Sequence, residues 1–325
     1  MNKLTSAGLA WAVAALLAVT GAAHAQSGEG PMRLVVSSAA GTAPDIIARL
    51  ISARLSETFK RTVIVDNKAG ANGGIAAADV LRAEPNGLTL LVTPAGTLTA
   101  NPHLYREGAA TAVTELTPIT QIATVDFVVA VRSGLPVNTL PELLAYIKAH
   151  PGKVNAATTA HGSFPHLAAE MLKQRTGLDF TIVKNNGGAA AGSAAAGGHA
   201  DFVIETSAVL EGLIQAGHLR PIASTGAVRG LKTPDLPTVA EAGLGGYAIS
   251  GWIALAAPKA TPLATREAIQ RSVVDALNDP TIRERLEMLH FAAVATSPND
   301  TGELIARERT QLGQVIEQAG LVVAK

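Results

Sequence analysis

Two loops hold the residues best suited to chemistry. The first, Ser37-Ser38-Ala39-Ala40-Gly41-Thr42-Ala43-Pro44, follows the apolar run Leu34-Val35-Val36 and leads into Asp45-Ile46-Ile47-Ala48-Arg49-Leu50. Small residues let a ligand approach the backbone, and a helix start presents unpaired N–H groups with a partial positive charge. The chemistry this predicts is the holding of an anion. The same residues also fit an ordinary strand-to-helix turn. The second loop, Thr158-Thr159-Ala160-His161-Gly162-Ser163-Phe164-Pro165-His166, has the same order of strand, loop and helix start. Ser163 can cap the helix and Pro165 can occupy its first turn. The Ser163 hydroxyl and adjoining N–H groups could meet a carboxylate opposite the first loop, or Ser163 could cap its own helix only. A third run, Asn67-Lys68-Ala69-Gly70-Ala71-Asn72-Gly73-Gly74-Ile75, reads as a tight turn or a further backbone contact and matches neither G-x-G-x-x-G nor the phosphate loop.

Catalytic signatures fit poorly. Ser163 lies in His-Gly-Ser-Phe-Pro, with Pro where a nucleophile elbow needs Gly. A hydrolase using Ser163 with His161 or His166 as base is the alternative reading. His161 and His166 are five apart with no third ligand nearby, so no metal site is expected. Trp252 and Tyr247 could line a pocket or fill the core.

The elements that must position these loops alternate. Strand candidates are 33–36, 63–66, 89–93, 117–123, 127–131, 155–158, 181–184, 202–205, 221–224 and 249–257. Helix candidates include 45–59, 74–83, 140–149, 166–176 and 208–216. That alternation predicts parallel sheets covered by helices on both faces. The tail reads as three helices, 262–278, 280–289 and 298–319, with a strand-like run at 291–295. Thr261, Asp279 and Ser297 each precede a proline and are expected to cap them. The run 187–198, almost wholly Gly and Ala, is either a linker or a tightly packed helix.

Composition narrows the classes. Lys3, an apolar stretch from Gly8 to Val19 and Ala23-His24-Ala25 read as a secretory signal cleaved after Ala25, which predicts an exported protein. Without its signal the chain carries 25 basic and 26 acidic residues, and aromatic residues make up 3%. That balance excludes a basic or stacking surface for nucleic acid. There is no Cys, so disulfides and thiolates contribute nothing.

Several spaced motifs are similar to the Bug-type solute-binding receptors of tripartite tricarboxylate transporters. They are Arg33 to Gly41 with Asp45 to Arg49, Val65 to Asn67 with Gly70-Ala71, Pro85 to Leu91, and Asn101-Pro102 with Leu104-Tyr105. Gly162-Ser163 with His166 to Glu170, and Pro237 to Leu244 with Gly246-Tyr247 and Trp252, complete the set. The resemblance implies an α/β, two-lobed periplasmic binding protein with a cleft between mostly parallel-sheet lobes. Lobe one would hold 26–123 and 252–325, lobe two 124–251. It implies a monomeric, non-enzymatic receptor that needs no cofactor and passes a small organic carboxylate to membrane permease subunits. Position by position, the ligand would meet Ser37, Ser38, Ala39, Ala40, Gly41, Thr42, Ala43 and Asp45 from lobe one. His161, Gly162, Ser163 and His166 would answer from lobe two.

Departures from the family pattern bear on the ligand. Ser37-Ser38 stand where Pro-Phe is usual, Thr42-Ala43 where Gly-Gly is usual, and Pro44 where Thr is usual. Asn185 and Asn186, which replace a Tyr and a basic residue, and Glu205, near a usual Asp, are also expected to meet the ligand. The loss of rings and of a positive group predicts a roomier, less cationic pocket without its aromatic wall, for a bulkier or more polar carboxylate.

Overall fold

The structure is a computed structural model, and it describes residues 30–323. The expected signal segment and its cleavage site lie outside the described residues. Ten strands form one continuous sheet in the order β2-β1-β3-β9-β4-β7-β5-β6, with β8 and β10 also pairing with β4. The strands are β1 (Met32–Val36), β2 (Val63–Asn67), β3 (Thr89–Pro94), β4 (Leu116–Arg132), β5 (Asn155–Thr158), β6 (Thr181–Lys184), β7 (Phe202–Thr206), β8 (Leu219–Ser224), β9 (Ser250–Pro258) and β10 (Ala292–Ala293).

Between them run α1 (Ala43–Phe59), a single 3-10 turn (Ala71–Gly73), α2 (Gly74–Leu81), α3 (Ala95–Thr99), α4 (Asn101–Leu104), α5 (Ala109–Thr114), α6 (Leu140–Ala149), α7 (Phe164–Thr176), α8 (Gly188–Ala196) and α9 (Ser207–Gln215). The chain ends in α10 (Leu263–Leu277), α11 (Pro280–Met288) and α12 (Pro298–Gln318). No helix among the described residues is long and apolar enough to cross a membrane.

Helix-linked strands pair in parallel as expected: β1 with β2 and β3, and β5 with β6 and β7. The pairs made by β4 and β9 are antiparallel. The 117–123 and 127–131 candidates are one strand of 17 residues, β4. Its first part, Leu116 to Asp126, pairs with β9, and its second, from Phe127, pairs with β7 and β8. Thr124, Val125 and Asp126 bridge the two runs because all three pair with β9 in unbroken ladder, whatever their polarity.

Helices cover both faces. Met32, Leu34 and Val36 pack with α1 and α10, while Val35 points into the larger core shared by α2, α7 and α12. With both faces covered, the strand interiors read as continuous apolar runs. The glycine- and alanine-rich run is helix α8, packed through Ala191 and Ala195 against β7 and β5. Its small side chains suit that close approach.

Two of the three expected tail caps form. Asp279 accepts the Thr281 N–H at 2.8 Å. Ser297 accepts the Asp300 N–H at 3.1 Å and its hydroxyl donates to Asp300 at 2.7 Å. Thr261 does not cap: Pro262 holds the N-cap of α10, and the Thr261 hydroxyl is buried without a partner among the described residues.

Candidate functional site

A cavity of about 480 Å³ opens where the C-terminal ends of β1, β3 and β5 meet the starts of helices. This is where open α/β sheets hold ligands. Ser37, Ser38 and Ala39 line one side and Gly162, Ser163 and Phe164 another. The two loops read from the sequence as partners therefore share one cavity.

Local hydrogen bonding fixes the first loop. The Ser37 N–H donates to Val92 O at 3.1 Å and its hydroxyl pairs with Thr93 at 2.8 Å. Asn67 Nδ2 donates to Ser38 O at 3.1 Å, and the Ser38 and Thr42 hydroxyls lie 2.9 Å apart. Among the described residues the Ser38 and Ala39 N–H groups have no backbone partner.

Ala40, Gly41, Thr42, Ala43 and Asp45 do not line the cavity. The anion at the start of α1 is the chain's own: buried Asp45 accepts the Gly41 N–H at 2.8 Å and Arg49 Nε at 3.1 Å. Burial alone would raise its pKa. The hydrogen bonds from Arg49, Gly41 and Asn67, with the Arg49 charge, outweigh that and hold it below the usual carboxylate range. Asp45 braces the loop and neutralises the helix start.

In the second loop Ser163 caps α7, accepting the His166 N–H at 3.3 Å, and also accepts the Thr159 hydroxyl at 2.7 Å. The Gly162 N–H donates to His166 Nδ1 at 3.0 Å, which puts the proton of the neutral ring on Nε2, 3.5 Å from Glu170. His161 Nε2 meets Leu321 O at 2.8 Å. Neither imidazole hydrogen-bonds Ser163 Oγ among the described residues, so the nucleophile–base pair of the hydrolase reading is not assembled. Gly162 has φ +71, and a Cβ there would stand 2.5 Å from Leu104 Cδ1. The Phe164 N–H, at the first position of α7, has no partner among the described residues.

Asn185, Asn186 and Glu205 stand elsewhere. Asn185 Nδ2 donates to Thr158 O at 3.1 Å and Val183 O at 3.0 Å, fastening the end of β6 to β5. Asn186 is exposed. Glu205 is buried beside Gly188, whose Cβ, were it present, would stand 2.8 Å from the carboxyl carbon. Burial raises its pKa against the opposing hydrogen bonds from Thr206. No group of three or more His, Cys, Asp or Glu among the described residues could hold a metal ion.

The remaining lining extends beyond the two loops. Gly70, Asn72 and Gly73 come from the glycine run already suspected, and Pro94, Gly96 and Thr97 from the end of β3 and the short helix α3. The signal for the latter was topological: Thr89 to Thr93 is one more strand entering a small-residue turn. Four successive residues, Gly70 to Gly73, have φ between +46 and +128. A Cβ on Gly73 would lie 2.5 Å from Thr97 Oγ1. Backbone strain of this kind persists only where its surroundings hold it. Phe127, Phe164, Trp252 and Phe291 also reach the cavity. The aromatic wall expected to be missing is thus supplied by other positions. Trp252 lines the cavity while Tyr247 is core, its hydroxyl donating to Ala168 O at 2.9 Å.

A family model, the tripartite tricarboxylate transporter family receptor (TctC), matches residues 47–321. The chain belongs to this family. Among its TctC relatives, a UPF0065 protein of Agrobacterium vitis is 31% identical over 89% of this chain and 84% of its own length. An R. palustris protein solved with adipate is 30% identical, covers 90% of this chain and 98% of its own, and has a TM-score of 0.74. MatC from Rhodopseudomonas palustris, solved with bound malate, is 27% identical, with 89% and 99% covered and a TM-score of 0.71. The fold of this TctC receptor is accordingly that of a two-lobed periplasmic binding protein, and its mixed sheet shared through β4 is the form it takes here.

Proposed function

We propose that this receptor captures a small organic carboxylate in the 480 Å³ cavity and releases it to the permease subunits of a tripartite transporter, working as a periplasmic monomer without turnover. The observation that carries the proposal is the pairing of two loops across one cavity. Ser38 and Ala39 on one side and Phe164 on the other present N–H groups unclaimed within the described protein. The Phe164 N–H stands at the first position of α7, where a helix start favours an anion, and the Ser38 and Ala39 N–H groups lie in the loop ahead of the α1 N-cap, Thr42. The adipate and malate held by two similar proteins support a carboxylate as that anion.

On this proposal lobe one comprises 26–123 and 252–325, lobe two comprises 124–251, and the chain crosses between them near Asp126 and Ser250. Ser250 Oγ donates to Asp126 at 3.0 Å, so a side-chain bond joins the two crossings. Ligand that touches both lobes would shift the population towards closure.

The test is thermal denaturation of the signal-free protein against a carboxylate panel. A ligand that binds only the folded state raises Tm with concentration. A well-folded preparation whose Tm no carboxylate raises would overturn the proposal. Hydrolysis of an ester, abolished by Ser163→Ala, would overturn the claim that it turns nothing over.

A further inference from the structure

The cavity wall has a chemistry that its loops do not. Val125, Phe127, Phe164, Trp252, Ile253 and Phe291 give it hydrocarbon surface, and none of the lining residues has an ionisable side chain. The rings come from β4, the first turn of α7, β9 and the turn after α11. Their positions are set by packing: Phe127 and Phe164 meet edge to face, centroids 6.4 Å apart, and the Trp252 N–H is held by Glu308 at 2.9 Å.

Three cations of the neighbouring elements are engaged elsewhere. Arg49 pairs with Asp45, Lys68 pairs with Asp79, and Arg309 donates to Leu98 O at 2.7 Å. One carboxylate can be met by the backbone of the two loops. A second, on a compact diacid, would be stripped of water among rings with no counter-charge to meet it. An apolar ring in the same place gains from burial and from edge-to-face contacts.

Resting on the carboxylate reading of this cavity, we infer that its ligand is a monocarboxylate with an apolar, ring-bearing body, and that compact diacids are disfavoured. The loops hold the acid group and the wall formed by Phe127, Phe164, Trp252 and Phe291 sorts the remainder.

Calorimetry on the signal-free protein with phenylacetate, adipate and malate decides it. Phenylacetate is expected to bind at least tenfold more tightly than either diacid, and a smaller ratio overturns the inference. If either diacid binds while phenylacetate does not, the receptor reading stands and this one fails. If none of the three binds a protein shown to be folded, this inference fails, and the receptor reading fails with it only when the wider carboxylate panel also leaves Tm unmoved. Phe127→Leu and Phe291→Leu, chosen to retain bulk and checked for an unfolding transition near that of the parent, are expected to weaken phenylacetate at least fivefold. Unchanged phenylacetate affinity in both variants would also overturn the inference.

Discussion

Asn101 grips Asn72 from two directions: its Nδ2 donates to Asn72 O at 2.8 Å, while its Oδ1 accepts Asn72 Nδ2 at 2.6 Å. The Thr97 hydroxyl donates a second bond to the same carbonyl at 3.1 Å. Asn101 is fully buried and does not line the cavity, whereas Asn72 does, with φ +49. The strained turn from Gly70 to Gly73 is therefore held from behind. Asn101→Ala is expected to cost about 1–3 kcal/mol in stability by orphaning buried polar groups. It should also weaken ligand binding measured well below Tm, because the turn relaxes away from the cavity. Lost stability with unchanged affinity would show that the turn does not shape the site.

Ser163 performs two tasks that mutation can separate. Ser163→Ala removes the cap of α7 and is expected to cost about 1 kcal/mol. Asp279→Ala removes the corresponding cap of α11 at a similar cost, remote from the cavity. If Ser163 also serves the ligand, only its variant loses affinity. Chemical denaturation gives the shared loss and calorimetry the difference.

Glu308 links pH to the cavity wall. Burial raises its pKa to about 7, against the opposing Trp252 N–H and the Arg307 charge. The unfolded chain releases this proton at lower pH than the folded chain does. The folded state thus binds more protons between about pH 4.5 and 7, and stability falls as pH rises through that window. The loss is at most about 3 kcal/mol, and less because solvent reaches part of the side chain. Raised values at Asp126 and Glu205 add slopes of the same sign. Glu308→Gln, which keeps an oxygen for Trp252, should flatten part of the decline in Tm across this window. An unaltered slope would remove Glu308 from the account.

How far the site was legible depended on what kind of signal each residue carries. The loops at Ser37 and Ser163 were visible because small residues, caps and a proline near the helix start are local signals, and the structure brings both to one cavity. Of the ring wall only Trp252 was suspected, since Phe127 and Phe291 are 164 residues apart and each alone looks like core. Asp45 and His166 were readable as site groups only until their partners were placed: Gly41 for Asp45, and Gly162 at Nδ1 and Glu170 near Nε2 for His166. Strand alternation marked both halves of β4 yet broke at Thr124 to Asp126, where the ladder with β9 overrides local polarity. Helices α3, α4 and α5, of four to six residues, are too short to show a period.

Thr261 and Ser297 offer a last comparison, because the sequence gives both the same Thr/Ser-Pro helix-start signal and only one makes the cap. The hydroxyl of Thr261 is buried without a partner among the described residues, while its N–H is used, donating to Pro258 O at 2.9 Å. Thr261→Val deletes an unsatisfied group of similar shape and is expected to leave stability unchanged or raise it by up to about 1 kcal/mol. Ser297 exchanges two hydrogen bonds with Asp300, so Ser297→Ala is expected to cost about 0.5–2 kcal/mol. Paired urea titrations with equal slopes measure both. A clear loss in Thr261→Val would mean that its hydroxyl is bonded in solution, for instance through a buried water, and that burial there is satisfied after all.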